Sequence, residues 1–216
     1  MSRRTEKAKR ILAILGEQNP HPVTELNFDT PWQLLVATVL SAQSTDKQVN
    51  KVTALLFAKY PHPAEIAALT PEELAVEIKS IGLFRTKSKH LVASAKALLE
   101  RHGGEVPADL PSLLALPGVG QKTANVILAN AFGIPALAVD THVFRVANRI
   151  GLAKAKTPEA TEQQLTSTIV RELWADAHHW LILHGRYICH ARNPHCAQCS
   201  LREHCDYFYS KKERER

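Results

Sequence analysis

The sequence LPGVGQKTA, residues 116–124 of the 216-residue chain, predicts a sharp turn between two helices. A short helical segment over 110–115 precedes the turn, and a new helix begins near Gln121. Gly118 and Gly120 suit such a turn, because glycine adopts positive φ and lets another backbone approach closely. Amides exposed in the turn and at the following helix start can cradle a phosphate. A plain corner between two helices has the same pattern, so Gly-x-Gly alone leaves both interpretations open.

Lys122 indicates that this motif has a function. It lies in the first turn of the second helix, where a cation opposes the helix dipole and typically costs some tenths of a kcal/mol. The same field disfavours the protonated amine, and a neutral amine is what a nucleophile requires. The sequence therefore makes Lys122 a candidate nucleophile.

The rest of the chain also predicts helices. Two starts, at Thr30-Pro31 and Thr70-Pro71, combine a Thr N-cap, a Pro at the first helical position and a capping-box partner at the third. Four glycines mark predicted helix ends: Gly82, Gly103, Gly133 and Gly151. No segment alternates apolar and polar residues convincingly over the length of a strand. We therefore expect an all-α fold of roughly ten helices.

Two breaks suggest two helical domains. The stretch Asn19-Pro20-His21-Pro22 ends the first helix, and Gly133-Ile134-Pro135 follows the densest helical region. We expect a central domain over 23–133, which contains the helix–turn–helix at about 110–130. Residues 1–22 and 134–216 are expected to fold together as the second domain.

Composition and charge exclude several classes of protein. With 45% hydrophobic and 22% charged residues, the chain has the composition of an ordinary globular protein, not a disordered one. The apolar stretches are too short to span a bilayer, and the basic N-terminus has no cleavage-site pattern. We therefore expect neither a transmembrane protein nor a secreted disulfide scaffold. The net charge of +6 favours polyanionic partners, although it is weak evidence alone.

A cysteine cluster near the C-terminus is the second candidate site. All four cysteines follow the pattern Cys189-x6-Cys196-x2-Cys199-x5-Cys205. Two disulfides would need an oxidising compartment, so a metal centre is the preferred interpretation. Zinc ribbons usually have two CxxC pairs and this segment has one, which leaves zinc and a four-iron cluster about equal. Three histidines lie nearby but are not needed by a complete cysteine set: His190, His195 and His204.

Asp140 is the third candidate. It precedes an apolar-periodic segment and is a good helix N-cap, a role that alone explains an aspartate there. A catalytic role depends on proximity to Lys122, which the spacing of the two residues does not determine.

Five motifs are spread along the chain: Leu40–Asp46, Ile81–Leu83, Leu116–Ala124, Val139–His142 and the four-cysteine pattern. Together, and in this order, they resemble the motifs of the endonuclease III family of DNA base-excision glycosylases. The resemblance covers nearly the whole chain. It implies two helical domains with a helix-hairpin-helix and a C-terminal cluster loop over 189–205. It further implies that the four cysteines bind a [4Fe–4S] cluster and that Lys122 and Asp140 are the catalytic pair.

The resemblance also implies a reaction. Enzymes of this family flip an oxidised pyrimidine out of duplex DNA, because the glycosidic bond is inaccessible inside the stack. Lys122 would attack C1′, expel the base and form a Schiff base, after which β-elimination cuts the strand 3′ of the abasic site. Asp140 would activate the nucleophile and stabilise the positive charge on the sugar. We expect a monomer that acts on damaged double-stranded DNA in the cytoplasm, and at the nucleoid if the source is a prokaryote.

Further DNA contacts follow from the same resemblance. Gln43 would fill the gap left by the flipped base and Leu83 would wedge into the stack, whereas the alternatives are a polar helix end and a buried leucine. Contacts are also implied for Gly118, Val119, Gly120, Thr123, His142 and Arg192. Three arginines either add to a basic face or lie on a solvated helix surface: Arg145, Arg149 and Arg186. Gln121 departs from the family, which often has a basic residue there.

Other functions compete with this interpretation. The adenine-mispair glycosylases and a thymine-mismatch group share the hairpin and the cluster but lack a lysine at position 122. The adenine-mispair enzymes also carry a further C-terminal domain. A non-catalytic DNA-binding module would have no use for both Lys122 and Asp140. A zinc-dependent transcription factor would be colourless, whereas a four-iron protein is yellow-brown.

Overall fold

The computed structural model describes the backbone of residues 3–214 and the side chains of residues 3–210. This part of the chain forms twelve α-helices and no strand, which confirms the all-α prediction. The helices are α1 Arg3–Gln18, α2 Pro31–Ser41, α3 Asp46–Lys59, α4 Pro63–Ala68, α5 Pro71–Glu77, α6 Phe84–His102, α7 Leu110–Leu114, α8 Gln121–Phe132, α9 Thr141–Ile150, α10 Pro158–Thr166, α11 Trp174–Tyr187 and α12 Asp206–Arg214. Short 3-10 helices lie at Arg171–Leu173, Cys196–Gln198 and Arg202–His204. None of the described helices is both long and apolar enough to cross a bilayer.

Two compact units make up the chain. One is the continuous segment Thr24–Ile134, which we call the continuous unit. The other combines the segment that ends at Val23 with the segment that starts at Pro135, and we call it the split unit.

Helix α2 is the centre of the continuous unit. Its residues from Trp32 to Leu40 are buried without a break, as is typical of a helix surrounded by other elements. It packs against α3, α6 and α8, while α6 packs against α4 and α5, and α7 packs against α8. The candidate turn at residues 116–120 therefore belongs to a helix pair anchored on this central helix.

The two predicted capping boxes differ in the structure. At Thr70 the box is complete: the hydroxyl accepts from the Glu73 amide, and the Glu73 carboxylate accepts from the Thr70 amide at 2.8 Å. At Thr30 the hydroxyl accepts from the Gln33 amide, but Gln33 Oε1 accepts instead from the Asp29 amide at 2.7 Å. The predicted cap at Thr30 is therefore confirmed. The prediction of a reciprocal bond from the Thr30 amide to Gln33 is wrong, because the Gln33 side chain binds the Asp29 amide.

Three of the four predicted helix ends are confirmed. Gly103, Gly133 and Gly151 follow α6, α8 and α9, each with positive φ. The prediction for Gly82 is wrong, because α5 already ends at Glu77 and Gly82 lies in the loop before α6. A Cβ at Gly82 would lie 3.0 Å from the Gln43 carbonyl oxygen, so close approach of two loops explains this glycine.

The split unit is organised around α9 and α11. Helix α9 packs against α10, α11 and α12, and α11 packs against α1. The Trp180 indole donates to the Asn19 carbonyl at 2.8 Å and joins the two sequence segments. Cys189 and Cys205 lie in the same apolar core as these helices, which places the cysteine segment on a packed scaffold.

Candidate active site

The turn between α7 and α8 uses its two glycines differently. Gly118 has φ +79°, and a Cβ there would lie 2.7 Å from the His90 Cβ, so this position needs glycine for both conformation and space. Gly120 has φ −97°, and a Cβ there would have no neighbour within 4 Å. The Ser94 hydroxyl donates to the Pro117 carbonyl at 2.6 Å and fixes the turn on α6. Gly118 therefore builds the turn, and Gly120 leaves its outer surface open.

The N-terminus of α8 has no internal counter-charge. Gly120 is its N-cap, no side chain caps it, and its first turn contains no acidic residue. Lys122 is exposed in that first turn, with Thr123 half-buried beside it and Val119 buried beneath the turn. Open amides and a lysine at the positive end of a helix suit an external anion, such as a DNA phosphate.

Asp140 caps α9, as the sequence predicts. Its Oδ1 accepts from the amides of His142 and Val143, both at 2.8 Å, and the residue is half-buried. Among the described residues no hydrogen bond reaches Oδ2. One oxygen therefore holds the carboxylate in place, while the other is available for chemistry.

Two arginines of α9 hold the cysteine segment. Arg145 donates through Nε to the Cys189 carbonyl at 3.0 Å and through Nη2 to the Gly185 carbonyl at 2.8 Å. Its Nη2 also lies 3.1 Å from Nδ1 of His142, which is half-buried. Neither of the two sequence interpretations of this arginine included a hydrogen bond to the cysteine loop.

Arg149 extends the same attachment. It donates to the carbonyls of His190 at 2.6 Å and Ala191 at 2.9 Å, and its guanidinium stacks on the Tyr207 ring at 4.7 Å. Both arginines lie on one face of α9, four residues apart, and this spacing indicates from the sequence that they contact the same region. Nothing in the sequence shows that their partners are carbonyls 40 residues or more away.

The four cysteines are free thiols that lie near one another. Cys189 and Cys205 are buried, and Cys196 and Cys199 are half-buried. Burial raises the pKa of the Cys199 thiol to about 11, and burial also raises the pKa of Cys205. Two cationic or N–H groups approach the sulfurs: Arg149 Nη1 lies 3.5 Å from Cys189 Sγ, and His184 Nε2 lies 3.6 Å from Cys199 Sγ.

This donor set fits an iron–sulfur cluster. Four cysteines in one segment are the usual ligands of a [4Fe–4S] cluster, and the Arg149 N–H beside Cys189 is the kind of outer contact that such ligands have. Within the described residues, no three His, Cys, Asp or Glu side chains stand close enough to hold a single metal ion. A four-iron cluster has one iron for each cysteine, so it needs wider spacing than a tetrahedral zinc site.

Gln43 and Leu83 are both exposed and both strained. Gln43 has φ +57° and Leu83 has φ +58°, a region that residues other than glycine seldom adopt. Leu83 is 56% exposed, which excludes the alternative that it is a buried leucine. Both side chains are held on turns that project from the continuous unit.

Arg192 lies at the exposed tip of the cysteine loop. Its neighbour Asn193 has φ +50°, and the rings of His190 and His195 pack edge to face at 4.8 Å. The loop is therefore ordered by its own contacts, and Arg192 projects from it into solvent.

Comparison with known families matches two parts of the chain. Residues 36–171 match the family described as HhH-GPD superfamily base excision DNA repair protein. Residues 189–205 match the iron-sulfur binding domain of endonuclease III.

Individual proteins match over nearly the full length. The chain is 51% identical to endonuclease III of Escherichia coli strain K12 over 203 residues, which cover 93% of this chain and 96% of the relative. Its fold matches a non-covalent endonuclease III–DNA complex with a TM-score of 0.92 and 41% identity, over 97% of this chain and 98% of the other. A trapped endonuclease III–DNA covalent intermediate matches with a TM-score of 0.92 and 42% identity, over 98% and 99% of the two chains.

Proposed function

We propose, for a chain that belongs to the endonuclease III family of HhH-GPD base excision DNA repair proteins, that Lys122 and Asp140 carry out its reaction. The chain is a DNA glycosylase and abasic-site lyase, and it binds a [4Fe–4S] cluster. What remains to be assigned is which residues act, and on which base. We infer that the substrates are oxidised pyrimidines in duplex DNA.

Lys122 is the proposed nucleophile. Its exposed amine attacks C1′ of the extruded nucleotide, and the bond from C1′ to the base breaks, so the base leaves with the bonding electrons and takes up a proton. The sugar ring opens to give a Schiff base between Nζ and C1′. Loss of a proton from C2′ then expels the 3′ phosphate by β-elimination, and water releases the lysine from the imine.

Asp140 is the proposed electrostatic partner in this reaction. Base departure leaves positive charge on the sugar, and an ionised carboxylate stabilises that charge. The two amides that bind Oδ1 hold the carboxylate in one orientation, so the capping role supports the proposed catalytic role.

The DNA contacts are proposed in three groups. The turn residues and the open start of α8 bind a backbone phosphate: Gly118, Val119, Gly120 and Thr123. Gln43 and Leu83 enter the base stack, which their exposure and fixed backbones support. His142 and Arg192 contact the backbone from the split unit, Arg192 at the tip of the cysteine loop.

The cysteine loop is proposed to be a binding element. Cys189, Cys196, Cys199 and Cys205 would hold the [4Fe–4S] cluster. When bound, the cluster supplies one iron–sulfur bond to each cysteine and so fixes the fold of the loop. Arg145 and Arg149 attach the same loop to α9, which presents Arg192 on a rigid support.

The uncapped start of α8 with Lys122 exposed in its first turn is the single observation that carries this proposal. Borohydride trapping on duplex DNA that contains thymine glycol tests it, with the wild type beside Lys122→Ala. We expect a covalent protein–DNA adduct with the wild type alone. An active, cluster-containing wild type that neither cuts nor traps this DNA would contradict the substrate assignment.

Lys122 is also what separates this proposal from its alternatives. A mismatch-specific glycosylase would release a mispaired base without forming a borohydride-trapped adduct. A non-catalytic binding module would bind DNA equally well with Lys122→Ala. We further propose that the enzyme acts as a monomer on cytoplasmic DNA, at the nucleoid in a prokaryote. Light scattering of the cluster-loaded protein, with and without DNA, tests the monomer.

A further inference from the structure

Two loops of the continuous unit are locked together. We call residues 42–45, which follow α2, the first loop, and residues 80–83, which precede α6, the second loop. The Gly82 amide donates to the Ser44 hydroxyl at 3.2 Å, and Gln48 Nε2 donates to the Ser80 hydroxyl at 2.9 Å. The Gly82 Cα is also packed against the Gln43 carbonyl, where a Cβ would lie at 3.0 Å.

Each loop contains a residue in a costly conformation. Gln43 and Leu83 have positive φ, a conformation that is unfavourable for a residue with a side chain. Helix α2 ends without a glycine: its C-cap is Ala42, with φ −58° and ψ 118°. Leu83 is the N-cap of α6, and its side chain makes no capping hydrogen bond. Such backbones persist only where neighbouring groups hold them.

Lys87 touches both loops. Its Nζ, in a side chain that is 4% exposed, donates to the carbonyl of Leu40 at 2.8 Å and to that of Ala42. Its backbone amide donates to the Leu83 carbonyl at 3.0 Å, in the first turn of α6. The Lys87 side chain therefore fixes the turn before Gln43, and the contacts of Gly82 with Ser44 and Gln43 extend that constraint to the turn at Leu83. The backbone bond is the ordinary first bond of α6, which any residue at this position would make.

The position of the Lys87 ammonium is electrostatically favourable. The last carbonyls of a helix carry partial negative charge, and a cation there is stabilising. Burial lowers the pKa of Lys87, and the two carbonyls provide the hydrogen bonds that a buried amine requires. Lys87 takes no part in the reaction proposed above, so its burial needs another explanation.

We propose that Lys87 is a positioning residue that preorganises Gln43 and Leu83 for insertion into the base stack. The inference rests on the proposed function, because it assumes that these two side chains enter the DNA. Ordering both loops before binding removes an entropic cost from the step in which the base is extruded. Cleavage at an abasic site in single-stranded DNA, where no base has to be extruded, should not depend on Lys87.

The test compares paired with unpaired substrates under single-turnover conditions. The cluster-loaded wild type, Lys87→Met and Lys96→Met each receive duplex DNA with thymine glycol and a single-stranded oligonucleotide with an abasic site. Lys96 lies exposed on the same helix, so Lys96→Met removes the same charge without the contacts. We expect Lys87→Met to lose about 10- to 100-fold on the duplex and less than about twofold on the single strand, with Lys96→Met unchanged on both.

The outcomes distinguish the inference from the proposed function. If the wild type itself fails on the duplex, the proposed function fails. If a folded Lys87→Met protein matches the wild type on the duplex, or loses equally on both substrates, Lys87 has no positioning role. Should Lys87→Met not fold, Gly82→Ala disturbs the packing of the second loop against the Gln43 carbonyl, through which the constraint from Lys87 would reach Leu83. The same selective loss on the duplex is then expected, at a smaller size, and equal activity on both substrates would contradict the proposal.

Discussion

Helices α8 and α9 begin in opposite ways. Both follow an extended residue, Gly120 in one case and Asp140 in the other. Asp140 satisfies the first amides of α9 with its own carboxylate, whereas no side chain caps α8 and a lysine lies in its first turn. A helix start that is capped by its own side chain has backbone amides satisfied in the free protein, whereas an uncapped start can gain a negative partner from a bound ligand. The two starts thus differ in where the first amides find their partners: within the chain at α9, and under the proposed function in a DNA phosphate at α8.

Lys122→Ala should separate activity from stability most strongly. We expect base release to fall by a factor on the order of 10⁴ or more, because the nucleophile is lost. The free energy of unfolding should stay the same or rise by some tenths of a kcal/mol, because a cation at the positive end of α8 is removed. Single-turnover base release and denaturant unfolding measure the two effects. A large loss of stability would show that α8 is not the open start described here.

Two substitutions of Asp140 should separate its capping role from its proposed catalytic role. Asp140→Asn keeps a capping side chain but removes the charge, so we expect base release to fall about 10²- to 10³-fold with little change in stability. Asp140→Ala removes the cap as well and should cost about 1 kcal/mol in addition. Comparing denaturant unfolding of the two variants isolates the cap. Equal stability of both would mean that the two hydrogen bonds to Oδ1 contribute nothing.

Gly120→Asp would make the start of α8 resemble that of α9. Gly120 has negative φ and open space around its Cα, so an aspartate fits and can cap the helix. We expect unchanged or slightly higher stability and about tenfold weaker binding of duplex DNA, measured by fluorescence anisotropy with an uncleavable abasic analogue. Gly120→Ala is the control without the charge. If Gly120→Asp binds as tightly as the wild type, no phosphate lies at this helix start.

Gln121→Lys should have the smallest effect. It restores the basic residue that the family often has beside the turn, on an exposed position. We expect DNA affinity to rise about two- to fivefold and the salt dependence of binding to steepen by about one counterion. Titrations at several salt concentrations measure both. An affinity gain without a change in salt dependence would mean that the new lysine contacts no phosphate.

The sequence predicts local structure better than long-range contacts. The capping box at Thr70 and the cap at Asp140 depend on residues three or fewer positions apart, and both are confirmed. The role of Gly82 depends on Gln43, and the burial of Lys87 depends on Leu40, 47 residues away. No periodicity or motif encodes such pairs, because they form only when separate helices pack.

The candidate site divides in the same way. Lys122, Asp140 and the four cysteines lie in short motifs, and the sequence identifies them as candidates. The attachment of the cysteine loop by Arg145 and Arg149 was not predicted, since arginines on a helix more often face solvent. A candidate residue in a short motif can be found from the sequence, whereas the hydrogen bonds that a distant helix makes to hold a loop in place cannot.

The split unit is made of two distant segments of the chain, so the order of synthesis limits which unit can fold first. Helix α1 emerges from the ribosome early, yet the Trp180 indole that binds the Asn19 carbonyl follows 161 residues later. The continuous unit has its whole sequence available before then and can fold first, as local contacts form faster than distant ones. The cysteines are translated after all of these helices except α12. The complete cluster can therefore be bound only after the hairpin of α7 and α8 has been synthesised.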